Sequence, residues 1–114
     1  MLNVSETVRQ CIQDCLDCAR ACENCATACL GEEMVGMMVE CIRADRDCAD
    51  LCILCARFLT RTSDLAAELC RVCAMACDLC GEECASHEQD HCQLCAQACR
   101  KCATSCRKVA EAEA

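Results

Sequence analysis

The chain has no proline, tryptophan or tyrosine, and Phe58 is its single aromatic residue. The lack of proline removes the strongest helix breaker, and the near absence of aromatics leaves the usual large core fillers scarce. No segment approaches the roughly 18 unbroken apolar residues of a membrane span. The opening MLNVSETVRQ has no basic start followed by an apolar run, so no cleaved secretory signal is expected and the location is predicted to be cytoplasmic. Basic residues are the minority, 11 Lys and Arg against 19 Asp and Glu, for a formal net charge of −8. That balance argues against nucleic acid or an anionic membrane as partner and suits attraction of cations. No Ser/His/Asp group, phosphate loop or nucleotide fingerprint occurs, which leaves little basis for an enzyme.

What fills the gap is sulfur. Twenty of the 114 residues are cysteine, and the hydrophobic fraction reaches 55% only when they are counted. They form four groups: Cys11, Cys15, Cys18, Cys22, Cys25 and Cys29; Cys41, Cys48, Cys52 and Cys55; Cys70, Cys73, Cys77, Cys80 and Cys84; Cys92, Cys95, Cys99, Cys102 and Cys106. Steps alternating between three and four mark one face of an α-helix, at the a and d positions of a heptad, so each group predicts one helix. The expected helices cover approximately 5–30, 34–60, 64–85 and 87–110 of a single domain spanning 1–114. Between them lie Gly31, Glu32 and Glu33, then residues 60–64, then a turn near Ser86. Ser63 and Asp64 read as N-cap and first turn of the third helix, and Ser86 with Gln89 as a capping box for the fourth. Connections this short make neighbours antiparallel, so the expected fold is all-α: an up-down-up-down four-helix bundle with a cysteine-lined interior.

Three purposes for such a lining compete. As small buried hydrophobes, twenty cysteines would bring an oxidation hazard and lose volume that leucine supplies. As disulfides, most pairs would sit within one helix, where a bridge closes a tiny loop and constrains little, and a reducing compartment opposes them. Metal binding remains, and soft thiolates select Cu(I), Zn(II) or iron–sulfur clusters. The compact Cys-x-x-Cys-x-x-Cys run of an iron–sulfur site is missing. About five Zn(II) with four ligands each would neutralise only half of the thiolate charge, and no Lys or Arg occupies the stripes to offset the rest. Cu(I) bound by two sulfurs, each bridging two ions, gives roughly one copper per cysteine and cancels the charge.

Positions around the stripes add detail. Asp45 stands where a cysteine is due, either as an oxygen ligand or hydrogen-bond acceptor in the tube, or as a salt-bridge partner of Arg43 or Arg46 at its edge. Phe58, Leu59, Leu65 and Val109 gather near the Cys11 end and are expected to plug it. At the other end antiparallel packing brings Met34 and Met38, with Met37 nearby, towards His87 and His91. Thioether and imidazole hold Cu(I) more weakly than thiolate, which suits an entry mouth; as alternatives, the methionines are core and the histidines solvated.

The cysteine stripes, ECIRADRDCADLC at 40–52 and HEQDHCQLCAQAC at 87–99 together resemble the bacterial copper storage proteins, in particular their cytosolic branch, across essentially the whole chain. The resemblance implies a thiolate tube storing many Cu(I) ions per protomer, protomers assembled as a homotetramer, and Met34, Met38, His87 and His91 at the open end. A zinc or general soft-metal thiolate buffer is the alternative function, and a redox enzyme a more remote one.

Overall fold

A computed structural model describes residues 5–112. The chain forms α1 (Glu6–Leu30), a short 3-10 turn (Val35–Met38), α2 (Val39–Thr60), α3 (Ala66–Ala85) and α4 (Asp90–Ala112). Both α1 and α3 pack on α2 and α4, which leaves α1 opposite α3 and α2 opposite α4 across the diagonal. This is the expected up-down-up-down four-helix bundle, 48 Å long and 23 by 19 Å across. No helix among the described residues is long and apolar enough to cross a membrane.

The helices come close because small residues flank each cysteine stripe. Ala19 and Ala26 on α1, Ala49 and Ala56 on α2, Ala74 and Gly81 on α3, and Ala96 and Ala103 on α4 are all buried. The two members of each pair lie one heptad apart, so a shallow seam runs beside the sulfur and lets backbones approach. At Gly81 a Cβ would sit 3.4 Å from the Cys99 Cβ, which shows how near α3 and α4 run. One polar cluster pins α1 to α4 outside the tube. The buried Asp14 carboxylate accepts from Ser105 Oγ and from Gln10 Nε2 at 2.9 Å, with Lys101 Nζ 3.5 Å away.

Helix ends depart from the expected boundaries for local reasons. Ser5 caps α1 by accepting from the Val8 N–H at 3.2 Å. The second helix begins at Val39 rather than 34, because Val35–Met38 winds as a 3-10 turn. Ser63 does not cap the third helix directly. Its hydroxyl accepts from the Leu65 N–H at 3.1 Å in a turn that precedes Ala66, so α3 starts two residues late. That turn leaves Leu65 61% exposed, which removes it from the expected plug. Nor do Ser86 and Gln89 form a capping box: Ser86 Oγ donates back to the Glu83 carbonyl at the end of α3. Gln93 closes the loop instead, donating from Nε2 to the Ala85 and His87 carbonyls, and α4 begins at Asp90.

The α2–α3 connection is a Schellman-type ending. The Ser63 N–H donates to the Phe58 carbonyl and the Thr62 N–H to the Leu59 carbonyl. The motif needs a left-handed residue, and Thr62 fills it with φ 51°. A β-branched side chain there costs about 1–2 kcal/mol of backbone strain that glycine avoids. Thr62→Gly should therefore raise the stability of the reduced, metal-free protein by about 1 kcal/mol in denaturant unfolding. An unchanged or lower midpoint would contradict the strain.

Candidate metal centre

All twenty cysteines are free thiols with no solvent-exposed surface. They form two antiparallel ladders. Between α1 and α4 the rungs are Cys11–Cys106, Cys15–Cys102, Cys18–Cys99, Cys22–Cys95 and Cys25–Cys92, with Sγ to Sγ separations of 3.7, 3.7, 3.8, 3.7 and 3.8 Å. Between α2 and α3 they are Cys41–Cys84, Cys48–Cys77, Cys52–Cys73 and Cys55–Cys70, at 3.4, 3.6, 3.6 and 3.5 Å. Each forward step along one helix is matched by an equal backward step along its partner, so the pairing keeps one register from end to end. Cys29, beyond the last α1 rung, lies 3.9 Å from Cys25 and 4.0 Å from Cys92. Sulfurs also touch between ladders: Cys18 and Cys48 are 3.8 Å apart, Cys52 and Cys102 3.8 Å, and Cys22 and Cys80 3.9 Å.

The result is a continuous column of sulfur rather than separate sites. Groups of four with mutually close sulfurs include Cys15, Cys55, Cys73 and Cys106 near one end and Cys25, Cys29, Cys41 and Cys92 near the other. In the middle, Cys18 and Cys48 belong both to a group with Cys52 and Cys77 and to one with Cys22 and Cys99. Shared membership of this kind suits bridging thiolates. Burial is the largest influence holding the Cys29 thiol up, to about 11, followed by the nearby Cys41 charge. Burial likewise pushes Cys92 up. The Cys41 thiol of the same group is held down instead, to about 2, first by its hydrogen bond with Cys25 and then by that with Cys84.

Asp45 occupies the missing rung of the α2–α3 ladder. It is fully buried, and the choice left open by its sequence position falls to the interior. Its Oδ1 accepts from Cys80 at 3.2 Å, Cys95 at 3.2 Å and Cys84 at 3.4 Å, and its Oδ2 lies 3.9 Å from Cys41. Arg43 pairs with Glu40 on the surface instead. Burial, then the Cys95 charge, pushes the Asp45 carboxyl up to about 8.

The ladder register continues past the cysteines at both ends. Beyond Cys55–Cys70 it sets Leu59 opposite Ala66, and Leu59, Ala66, Val109 and Ala110 are all buried there. Phe58 packs half-buried at the margin, with the Arg61 guanidinium 4.3 Å from its ring centre. Beyond Cys41–Cys84 the register sets Met38 opposite His87. These two line a pocket of about 370 Å³ together with Glu32, Glu33, Met34, Met37 and Gln89. Met38 is buried, whereas Met34 and Met37 are 65% and 68% exposed. His91 lines a separate groove with Asp17, Arg20 and Leu94, and its Nδ1 is 3.5 Å from both Cys25 and Cys92 and 3.9 Å from Cys29.

A family described as copper storage protein matches residues 4–111. The chain belongs to the copper storage protein family. An uncharacterised cysteine-rich protein of Bacillus subtilis (strain 168) is 46% identical over 100 residues, 88% of this chain and 93% of that protein. Among solved structures, the Cu(I)-bound copper storage protein BsCsp3 is 44% identical with a TM-score of 0.88, over 92% of this chain and 99% of that one. The copper storage protein of Streptomyces lividans loaded with 10 copper equivalents is 41% identical with a TM-score of 0.90, over 93% of this chain and 85% of that one.

Some residues of this copper storage fold have no counterpart in the pattern of cysteines. Glu32 accepts from His91 Nε2 at 2.9 Å across 59 positions, and no local spacing signals that contact. The Glu83–His87 contact at 2.8 Å is an i, i+4 pair and was readable as one.

Asp45 carries a pH prediction for the metal-free protein. Its folded pKa lies above the unfolded carboxylate value of about 4, so its favourable contribution is full below that value and is lost as pH rises through about 8. Asp45→Asn should melt higher than the reduced, metal-free wild type at pH 7–8, with the gap closing as pH falls towards ~4. Parallel melting curves across that range would show that Asp45 is not held neutral.

Proposed function

We propose that this chain stores many Cu(I) ions in its sulfur column, in the cytosol, as a binding function without turnover. The observation that carries this reading is the sharing of Cys18, Cys22, Cys48 and Cys99 between adjacent four-sulfur groups. Such sharing favours a metal that accepts bridging thiolates and low coordination, which is the preference of Cu(I) among soft-metal candidates. Charge supports the same choice. Among the described residues the buried polar ones are Asp14, Asp45 and Ser105, none of them cationic. A column of thiolates filled with divalent ions at four sulfurs each would keep an uncompensated negative charge, at several kcal/mol per ion. A monovalent ion replacing each thiol proton leaves the column neutral. The storage activity implied by the names of the Bacillus and Streptomyces relatives agrees.

In this reading the twenty cysteines are the copper ligands, and Asp45 is an oxygen donor in the missing rung. Met34, Met38, His87 and His91 form the mouth, while Leu59 and Val109 close the far end. The free thiols require a reducing compartment, which supports a cytosolic location. Val72, Met75 and Leu79 stand exposed on α3 beside a groove shared with Leu51, a patch that supports assembly of copies into the tetramer implied by the family resemblance.

Anaerobic titration of the reduced protein against a Cu(I) chelator, with Zn(II) in parallel, tests the reading. Capacity should approach one Cu(I) per cysteine and exceed that for Zn(II). Saturation at about four or five ions, the ratio of a four-ligand site, would overturn it.

Access is tested separately from capacity. Replacing Met34 and Met38 by leucine and His87 and His91 by alanine leaves every thiol in place, and the methionine changes nearly conserve volume. Final loading should stay the same while uptake in stopped-flow absorbance slows by about tenfold or more. Equal uptake rates would move the entrance to the Cys11 end.

A further inference from the structure

The contact between Glu32 and His91 has a consequence for how copper reaches the first thiols. Glu32 directly follows the helix-ending Gly31, and its backbone N–H donates to the Cys29 carbonyl at 3.2 Å, which ties its position to the last α1 cysteine. Its carboxylate meets His91 Nε2 at 2.9 Å, and both side chains are largely shielded, at 33% and 18% exposed. An ionised carboxylate has no proton to give, so the hydrogen of this bond belongs to Nε2. In the neutral imidazole the other nitrogen is then bare. That nitrogen, Nδ1, is the one 3.5 Å from Cys25 and Cys92 and 3.9 Å from Cys29.

We infer that Glu32 is a positioning residue for copper uptake: it fixes the His91 tautomer and ring so that a bare Nδ1 faces the first four-sulfur group. Glu32 also lines the pocket that holds Met34, Met37, Met38 and His87, so one side chain spans the mouth and the entrance to the thiols. A Cu(I) ion resting on the thioethers passes to Nδ1 and then to Cys25, Cys92 or Cys29, and each thiol that takes the metal gives its proton to solvent water at the mouth. His87 has a comparable carboxylate partner, Glu83 at 2.8 Å, but belongs to the outer pocket. The pairing of a ligand histidine with a carboxylate through its second nitrogen is the arrangement that orients metal-binding imidazoles generally, and losing such a partner costs about 10–100-fold in affinity or rate.

The inference rests on the storage reading above, and the test separates the two. Four full-length reduced proteins are compared: wild type, Glu32→Ala, Glu32→Gln and, as a charge control at the distant start of α3, Glu68→Gln. Nitrogen-15 NMR of the imidazoles is recorded before copper is added, and Cu(I) uptake is then followed by stopped flow to saturation. In wild type and Glu32→Gln, whose amide oxygen still accepts, His91 should be the Nε2–H tautomer and uptake should be fast. Glu32→Ala should show mixed tautomers and uptake slowed by about 10–100-fold, with the final loading of wild type. Glu68→Gln, which lies 75% exposed beside Arg71, should match wild type in all three. An unchanged tautomer in Glu32→Ala overturns the inference whatever the rates. So does a Glu32→Gln as slow as Glu32→Ala, which would make Glu32 an electrostatic attractor, or a Glu32→Ala faster than wild type, which would make it a latch. Failure of the wild type to load Cu(I) would overturn the storage reading, and leave the tautomer result standing by itself.

Discussion

The structure depends on one constraint: sulfur atoms packed at 3.4–4.0 Å along a whole bundle cannot all be charged at once. As thiols they are compact, weakly polar and close-packed, so the interior behaves as an ordinary apolar core. As bare thiolates they would repel at contact distance in a medium that screens poorly. Much else follows. Among the described residues the buried set excludes lysine and arginine, Asp45 is held towards its neutral form by burial, and its oxygens are satisfied by thiol donors. Small residues beside the stripes bring the helices close enough that a side chain as short as cysteine fills the space between them. The constraint also selects the cargo, since a monovalent ion exchanged for a proton preserves neutrality and a divalent ion does not.

The two ends then differ because neutrality is needed inside but not at the boundary. At the Cys11 end Leu59, Ala66, Val109 and Ala110 continue the core without polar atoms in their side chains. At the other end the ladder runs into Met38 and His87, and carboxylates from Glu32 and Glu83 hold the two histidines. One opening thus carries soft, weaker donors and carboxylates, and the other is closed by apolar side chains.

Most of this was legible from cysteine spacing, because a period of three and four residues specifies both the helix and the face it buries. Short connections specified antiparallel neighbours, and with them which residues share an end. Pairing across helices was not legible. Nothing in the period says that Cys41 meets Cys84 or Cys25 meets Cys92. Asp45 illustrates the limit, since its place in the stripe fitted a core acceptor and an edge ion pair equally until its thiol partners were known. Helix ends were less legible still. Ser63 and Ser86 have the chemistry of N-caps, yet each hydrogen bonds within its turn, and the shift at Ser63 carried Leu65 out of the plug. The Glu32–His91 contact joins loop and helix with no spacing rule to announce it.

Neutral exchange is tested most directly by counting protons. The reduced, metal-free protein is titrated anaerobically with Cu(I) in weakly buffered solution at neutral pH while released acid is neutralised and recorded, because a metal that binds a thiol displaces its proton. Close to one proton per Cu(I) is expected from the first addition to saturation, near the number of cysteines. Release well below one per ion would mean that the column already holds thiolate charge, and release that stops after about five ions would mean discrete four-sulfur sites; either result would contradict a neutral column filled by exchange.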